Sequence, residues 1–195
     1  MKHLLTLLLL SYFSFVHAQV EEHFSDGDFT FNPAWYGDDS LFAVNSNFQL
    51  QSKGTSGTSK DISLSTPGKF LDSTEWQCWV KLNLNPSTQN FSRFYLASDQ
   101  HDLKGNLNGY FVQFGGSTGN TDSISLYKQK GNVKTRIIAG RPGTVGRTTN
   151  SIRIKVLRDS IGNWKLFSDT LGGNNFVLEG SCFDSEFVTS AYGGM

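Results

Sequence analysis

From Trp76 to Asn85 the chain alternates without a break. Trp76, Cys78, Val80, Leu82 and Leu84 are all apolar, and the intervening Gln77, Trp79, Lys81, Asn83 and Asn85 are polar apart from one indole. Successive side chains of a strand point to opposite faces, so this segment is expected to be a strand with one face on a core and the other towards solvent. A helix would scatter the same apolar set around its axis. Similar segments begin at Phe91, Tyr110, Ile124, Ser151 and Trp164, and none after residue 18 shows sustained helical spacing. Between them lie turn formers: Asn85-Pro86-Ser87, Lys104-Gly105-Asn106, Gly115-Gly116-Ser117, Lys130-Gly131-Asn132, and Asp159 to Asn163 with Gly162. Short links of this kind join antiparallel neighbours and leave no room for crossover helices. The expectation is an all-β chain folded as an antiparallel β-sandwich. Its 16 Phe and 20 Gly against five Glu suit strands and turns better than helices.

The amino-terminal end reads differently. Met1, Lys2 and His3 give a basic start, Leu4 to Val16 is almost wholly apolar, and Val16-His17-Ala18 matches a signal-peptidase cut. Residues 1–18 are therefore expected to be a signal peptide, leaving Gln19 first in a secreted or cell-surface product. The apolar run is shorter than the roughly 20 residues a membrane helix needs, no Cys follows the cut, and no second such run occurs, so no transmembrane segment is expected in the mature chain. Residues 19–195 are of a length that suits one domain.

Export also bears on the two cysteines, Cys78 and Cys182, because an oxidising compartment permits a disulfide between them. Spacing does not pair them, and Cys78, on the apolar face of its strand, reads equally as a small buried hydrophobe. With histidines after the leader only at 23 and 101, there is no zinc pattern.

Formal net charge is zero but unevenly spread. From Lys128 to Lys165 there are ten basic residues (Lys128, Lys130, Lys134, Arg136, Arg141, Arg147, Arg153, Lys155, Arg158, Lys165) against Asp159 alone, whereas residues 21–127 hold twelve acids and six bases. Such an excess suits an acidic polysaccharide or a nucleic acid; alternatively these are solvated strand faces, partly neutralised by acids from the amino-terminal half. No aromatic-interleaved nucleic-acid motif accompanies the bases, so no nucleic-acid partner is expected.

Parity singles out a candidate binding face. If residues 85–90 close a hairpin between the first two strands, core matching sets Leu82 near Phe94 and Val80 near Leu96, which places Lys81 near Tyr95 and Asn83 near Arg93 outside. Carrying the parity onward yields one outer face with Trp79, Lys81, Arg93, Tyr95, Gln113 and Tyr127. Aromatic rings there could stack on sugars while the polar groups bond hydroxyls. The alternative is that Trp79 and Tyr95 lie beneath a loop, the amino-terminal segment or another domain.

Catalytic patterns are scarce. Glu21, Glu22, Glu75, Glu179 and Glu186 are scattered, with no Glu-x-Asp-x-x-Glu strand of the kind that pairs carboxylates in sandwich glycosidases. There is no Gly-x-Ser-x-Gly elbow and no phosphate-cradling glycine motif, and His101-Asp102 falls in a Gly- and Asn-rich loop. A non-catalytic chain is expected, with an extracellular glycan hydrolase the weaker reading. Asp26-Gly27-Asp28 could hold a structural calcium ion, with Asp38, Asp39 or carbonyls completing the shell; otherwise it is a solvated turn.

Several segments together carry a resemblance: FSDGDF at 24–29, Trp35–Phe42, Trp79–Lys81 leading into Asn85–Ser87, Ser98–Gln100, Leu107–Phe111, and Arg158-Asp159 with Gly162–Trp164 followed by Phe167–Asp169. Over nearly the whole chain after the leader they resemble the amino-terminal concanavalin A-like (laminin-G-like) domain of large secreted Bacteroidota proteins, which carry lamin-tail or other sandwich domains downstream. The resemblance implies a jelly roll and a role in carbohydrate binding or surface adhesion within a larger polypeptide, or else a purely structural spacer or docking module. Members of that family continue past the position of Tyr192–Gly194 into a further strand with an acidic ending, so the domain is expected to be incomplete at its carboxy terminus, without any calcium ligand that ending would supply.

Overall fold

The computed structural model describes residues 20–54, 60–69, 71–118 and 121–195. The expected signal peptide and the cut before Gln19 lie outside them. The described residues form thirteen strands: β1 (Tyr36–Gly37), β2 (Phe42–Val44), β3 (Leu50–Ser52), β4 (Leu64–Pro67), β5 (Thr74–Leu82), β6 (Ser92–Ser98), β7 (Leu107–Phe114), β8 (Ile124–Gly131), β9 (Val133–Ile138), β10 (Asn150–Arg158), β11 (Asn163–Asp169), β12 (Val177–Phe183) and β13 (Tyr192–Gly194). One 3-10 turn, Asp39–Leu41, precedes β2. Every pairing between these strands is antiparallel. The chain is all-β, as its alternation requires. Among the described residues no helix is long and apolar enough to cross a membrane.

Seven strands form one sheet in the order β1-β4-β13-β6-β7-β8-β9, four form another in the order β12-β11-β10-β5, and β2-β3 is a separate ribbon. The core lies where the two large sheets face each other. Trp76, Leu82, Ile152, Ile154, Val156, Trp164 and Leu166 come from the four-stranded sheet and meet Leu96, Tyr110, Val112, Phe114, Ile124 and Leu126 from the seven-stranded one. Trp164 is wholly buried at its centre, stacked on Trp76 with ring centroids 5.6 Å apart and tilted against Tyr110 at 4.6 Å. The inward parity read from β5 holds, since Trp76 and Leu82 are buried and Cys78 and Val80 pack against the same cluster.

The expected hairpin between β5 and the next strand does not form. β5 pairs instead with β10, Val80 opposite Ile152 and Leu82 opposite Asn150, while β6 pairs with β7, Phe94 opposite Val112. Residues 83–91 cross from one sheet to the other, a gap of roughly 10 Å that such a link spans easily. Core-facing residues meet both when strands are neighbours in one sheet and when their sheets face each other, so parity alone does not distinguish these arrangements.

Ion pairs stitch the sandwich together. At the side where β9 and β12 approach, Glu179 of β12, with a fully buried side chain, accepts from Arg141 Nη2 at 2.8 Å, Arg141 Nε at 3.2 Å, the Arg141 amide at 2.8 Å and the Ser168 hydroxyl. In the segment after β12, Asp184 accepts from Tyr110 Oη at 2.6 Å and from Lys128, which also reaches Glu186 at 2.8 Å; Lys130 holds Glu186 at 2.6 Å. Three of the ten clustered bases are thus neutralised by acids from the carboxy-terminal segment rather than from the amino-terminal half. At the other end, β13 lies between β4 and β6, and Met195 and Leu64 exchange backbone hydrogen bonds at 2.9 and 2.8 Å.

Candidate functional site

Because β5 and β6 belong to different sheets, the six residues expected on one face are split. Trp79 and Lys81 point outward from the four-stranded sheet, whereas Arg93, Tyr95, Gln113 and Tyr127 lie on the outer face of the seven-stranded sheet, on the opposite side of the sandwich. The outward parity of each residue is right, and the single platform is not.

The second group is engaged internally. Tyr95 is 3% exposed, packs with Phe111, Leu103 and Leu107, and donates its hydroxyl to Gln129 Oε1 at 3.3 Å. That burial raises the Tyr95 phenol pKa, with Arg93 pulling it back in part. Tyr127 is half-buried and stacks on Phe111, centroids 5.2 Å apart and planes parallel. Arg93 lies over the rings of Phe91 (4.8 Å) and Phe111 (5.1 Å) and donates to Gln113 Oε1 at 3.0 Å; Gln113 in turn donates to the Gly115 carbonyl. The loop carrying Leu103 therefore roofs a second, small core. For Tyr95 the covered alternative holds.

The outer face of the four-stranded sheet is different. Its residues follow from strict alternation in β10, where Ile152, Ile154 and Val156 are wholly buried and Ser151, Arg153 and Lys155 take the other side. Register places Trp79 opposite Arg153, Lys81 opposite Ser151, Gln77 opposite Lys155, and Lys155 opposite Phe167 of β11. Trp79 is half-buried and donates its ring N–H to Ser151 Oγ at 3.2 Å. Gly172, with φ +77°, abuts that ring: a Cβ there would lie 2.9 Å from Trp79 Nε1, so the turn can approach only as glycine. The Lys155 ammonium lies over Phe167 at 5.1 Å and Phe176 at 4.7 Å. Lys81 and Lys165 are exposed.

None of Lys81, Arg153, Lys155 and Lys165 reaches a carboxylate within 4.0 Å among the described residues. Asp169, opposite Arg153, instead accepts from the Leu171 and Asn175 amides, each at 2.8 Å, and so folds the following turn. Glu75, at the end of the face, accepts from Gln77 at 2.7 Å. Sequence reasoning does not single out Arg153, Lys155, Lys165 and Phe167 as a site, although the alternation in β10 exposes the first two; what the sequence does not reveal is that β10 lies beside β5.

Asp26 and Asp28 cap their own turn. Asp26 Oδ1 accepts from the Asp28 amide at 3.0 Å, and Asp28 accepts from the Phe29 and Thr30 amides and the Thr30 hydroxyl, which lowers its pKa. Asp38 is held by Lys104 at 2.8 Å and by the Ser63 amide. The carboxylates thus meet N–H and O–H donors, and the described residues contain no group of three or more His, Cys, Asp and Glu arranged for a metal. Cys78 and Cys182 are free thiols. They lie on β5 and β12, the two edges of the four-stranded sheet, separated by three strand spacings, about 14 Å, and further offset along the strands, far beyond disulfide reach. Burial pushes Cys78 up to about 12 and Cys182 up to about 11, so neither is a ready thiolate.

The five glutamates are engaged separately: Glu21 by His23, Glu22 by the Phe24 amide, Glu75 by Gln77, Glu179 by Arg141, and Glu186 by Lys128 and Lys130. Glu186 and Asp184 do share Lys128, but its ammonium helps hold both below the usual carboxylate range. For Asp184 this overrides the opposing push of burial. A glycosidase acid needs the opposite shift. His101 meets the ring edge of Tyr192, and Asp102 accepts from the Lys104 amide.

No family model, no curated protein and no solved structure matches the chain.

Proposed function

We propose that this is an exported, non-catalytic β-sandwich module of concanavalin A-like, laminin-G-like jelly-roll type, acting in carbohydrate binding or surface adhesion as part of a larger secreted or cell-surface protein. The observation that carries the reading is the outer face of the four-stranded sheet, where Trp79 and Phe167 stand among Lys81, Arg153, Lys155 and Lys165, none of which has a carboxylate partner within 4.0 Å among the described residues. Rings in such a setting stack on sugar faces, and the surrounding Gln77, Lys81 and Ser151 supply hydroxyl partners.

Affinity electrophoresis against a polysaccharide panel tests this. Retention by the native protein should be lost in Trp79→Ala with the melting temperature lowered by only a few degrees, since the ring is half-buried and makes one hydrogen bond. If the native protein retains no glycan, the reading fails. Export itself predicts Gln19 as the first residue of the secreted product, which intact mass decides.

A second reading, a spacer or docking module without its own ligand, is favoured by one feature. The edge strand β12 exposes Val177, Leu178 and Phe183, apolar side chains that another domain could cover.

A further inference from the structure

Four cations on one face of the four-stranded sheet, Lys81, Arg153, Lys155 and Lys165, have no carboxylate partner within 4.0 Å among the described residues. Elsewhere Lys104, Lys128, Lys130 and Arg141 are each paired with an acid, whereas the exposed Lys134 and Arg136 on the opposite side are not. On this face Lys81, Arg153, Lys155 and Lys165 outnumber Glu75 and Asp169, and Asp169 is occupied by backbone amides. We propose that the ligand of this face is an acidic polysaccharide, one carrying carboxylate or sulfate groups along its length. The proposal rests on the glycan-binding reading and narrows it to one chemical class.

Three features of the geometry support this occupant. First, the cations are spread over three adjacent strands, with Lys81 on β5, Arg153 and Lys155 on β10, and Lys165 on β11. Neighbouring strands lie about 4.8 Å apart, so the positive charge is distributed rather than focused in one pocket, which suits a repeating anionic chain and not a lone anion. Second, the face offers rings at the same level. Lys155 is held over Phe167 and Phe176, and Trp79 stands opposite Arg153, so a charged group and a sugar face can be met by adjacent side chains. Third, Arg153 is positioned by its Nε contact with the Gly172 carbonyl at 3.4 Å. Its two terminal nitrogens have no hydrogen-bond partner among the described residues and can serve a carboxylate or sulfate in bidentate fashion.

The experiment measures retention of the full chain on a uronate polymer (alginate), a sulfated galactan, a neutral β-glucan (laminarin) and duplex DNA. Each is run at about 50 and about 300 mM NaCl, a range over which charge-driven binding weakens steeply. The expected result is retention on the two acidic glycans that falls with salt, with weaker or no retention on laminarin and DNA. Lys81→Glu combined with Lys165→Glu, both at exposed positions, should weaken acidic-glycan binding by roughly tenfold or more. The pair Lys134→Glu with Arg136→Glu makes the same change in net charge on the opposite side of the sandwich and should leave binding unchanged. Unchanged melting curves would establish that both variants are folded. Equal, salt-insensitive binding to laminarin and the acidic glycans would overturn this inference while sparing the glycan reading. No retention on any glycan would overturn both. DNA retained as strongly as the acidic glycans, or an equal loss from the control pair, would also overturn the inference, because the face would then be a general polyanion surface or the effect one of net charge.

Discussion

Leu82 and Asn83 are adjacent in sequence and opposite in environment. Leu82 is 8% exposed inside the cluster between the sheets, and Asn83 is exposed just beyond the end of β5. Truncating Leu82 to Ala removes buried methyl groups and leaves a cavity, costing about 2–5 kcal/mol, whereas Asn83→Ala should stay within about 0.5 kcal/mol. Urea titrations of the two variants would reveal the difference, and equal effects would refute the inward packing of β5. The thiols make a second residue-scale test. With Cys78 and Cys182 both free and raised in pKa by burial, two thiols per chain should titrate after denaturation while neither reacts rapidly in the native state at neutral pH. A chain with no titratable thiol after denaturation without reductant would contradict the strand order.

At the scale of elements, the contact between β12 and the segment after β9 depends on one buried carboxylate. Burial pushes the Glu179 pKa up, but hydrogen bonds from Arg141 and Ser168 and the Arg141 charge outweigh it, so the net shift is downward from 4.5; Asp184 is likewise lowered from 3.8 by Lys128 and Tyr110 against burial. A carboxylate whose folded pKa is depressed stabilises the fold above its unfolded pKa and loses that contribution as pH falls through the folded value. Stability should therefore be level above about pH 5 and decline below about pH 4.5 as Glu179 and Asp184 take up protons. Glu179→Gln keeps the shape and removes the charge, so it should cost about 1–3 kcal/mol at pH 7 and flatten that acid slope. An unchanged slope between pH 5 and 3 would mean the stitch contributes nothing. This element is hidden in the sequence, because β12 places a glutamate where the alternation of an ordinary strand would place an apolar residue, and its compensating arginine is 38 positions away.

At the scale of the whole molecule, legibility follows locality. The inward and outward faces of β5 and β10 are written in alternation, because side-chain direction depends only on the strand's own backbone. Strand partnership is a long-range choice, and the exchange of an expected β5–β6 hairpin for β5–β10 pairing divides one inferred platform into a roofed core around Tyr95 and an open basic face around Trp79. β13 illustrates the same limit. Tyr192-Gly193-Gly194 has no strand signature, being two-thirds glycine, and still fills the position between β4 and β6. The reason is steric: a Cβ on Gly194 would lie 2.2 Å from the Leu64 carbonyl oxygen, 2.7 Å from Leu103 Cδ1 and 2.8 Å from Ser65 Cα, so only glycine allows the neighbouring backbones to approach. Gly194→Val should therefore push β13 out of register, break the Met195–Leu64 exchange and disturb the roof residue Leu103, whereas Gly54→Ala, with nothing within 4 Å of the added carbon, serves as the neutral control. Removing residues 191–195 altogether leaves β4 and β6 unpaired along their facing edges. At about 1 kcal/mol for each of several backbone hydrogen bonds, the melting temperature should fall by roughly 10 °C or more. A truncated chain that melts with the full-length one would show that the large sheet closes without β13, and the order β4-β13-β6 would then be wrong.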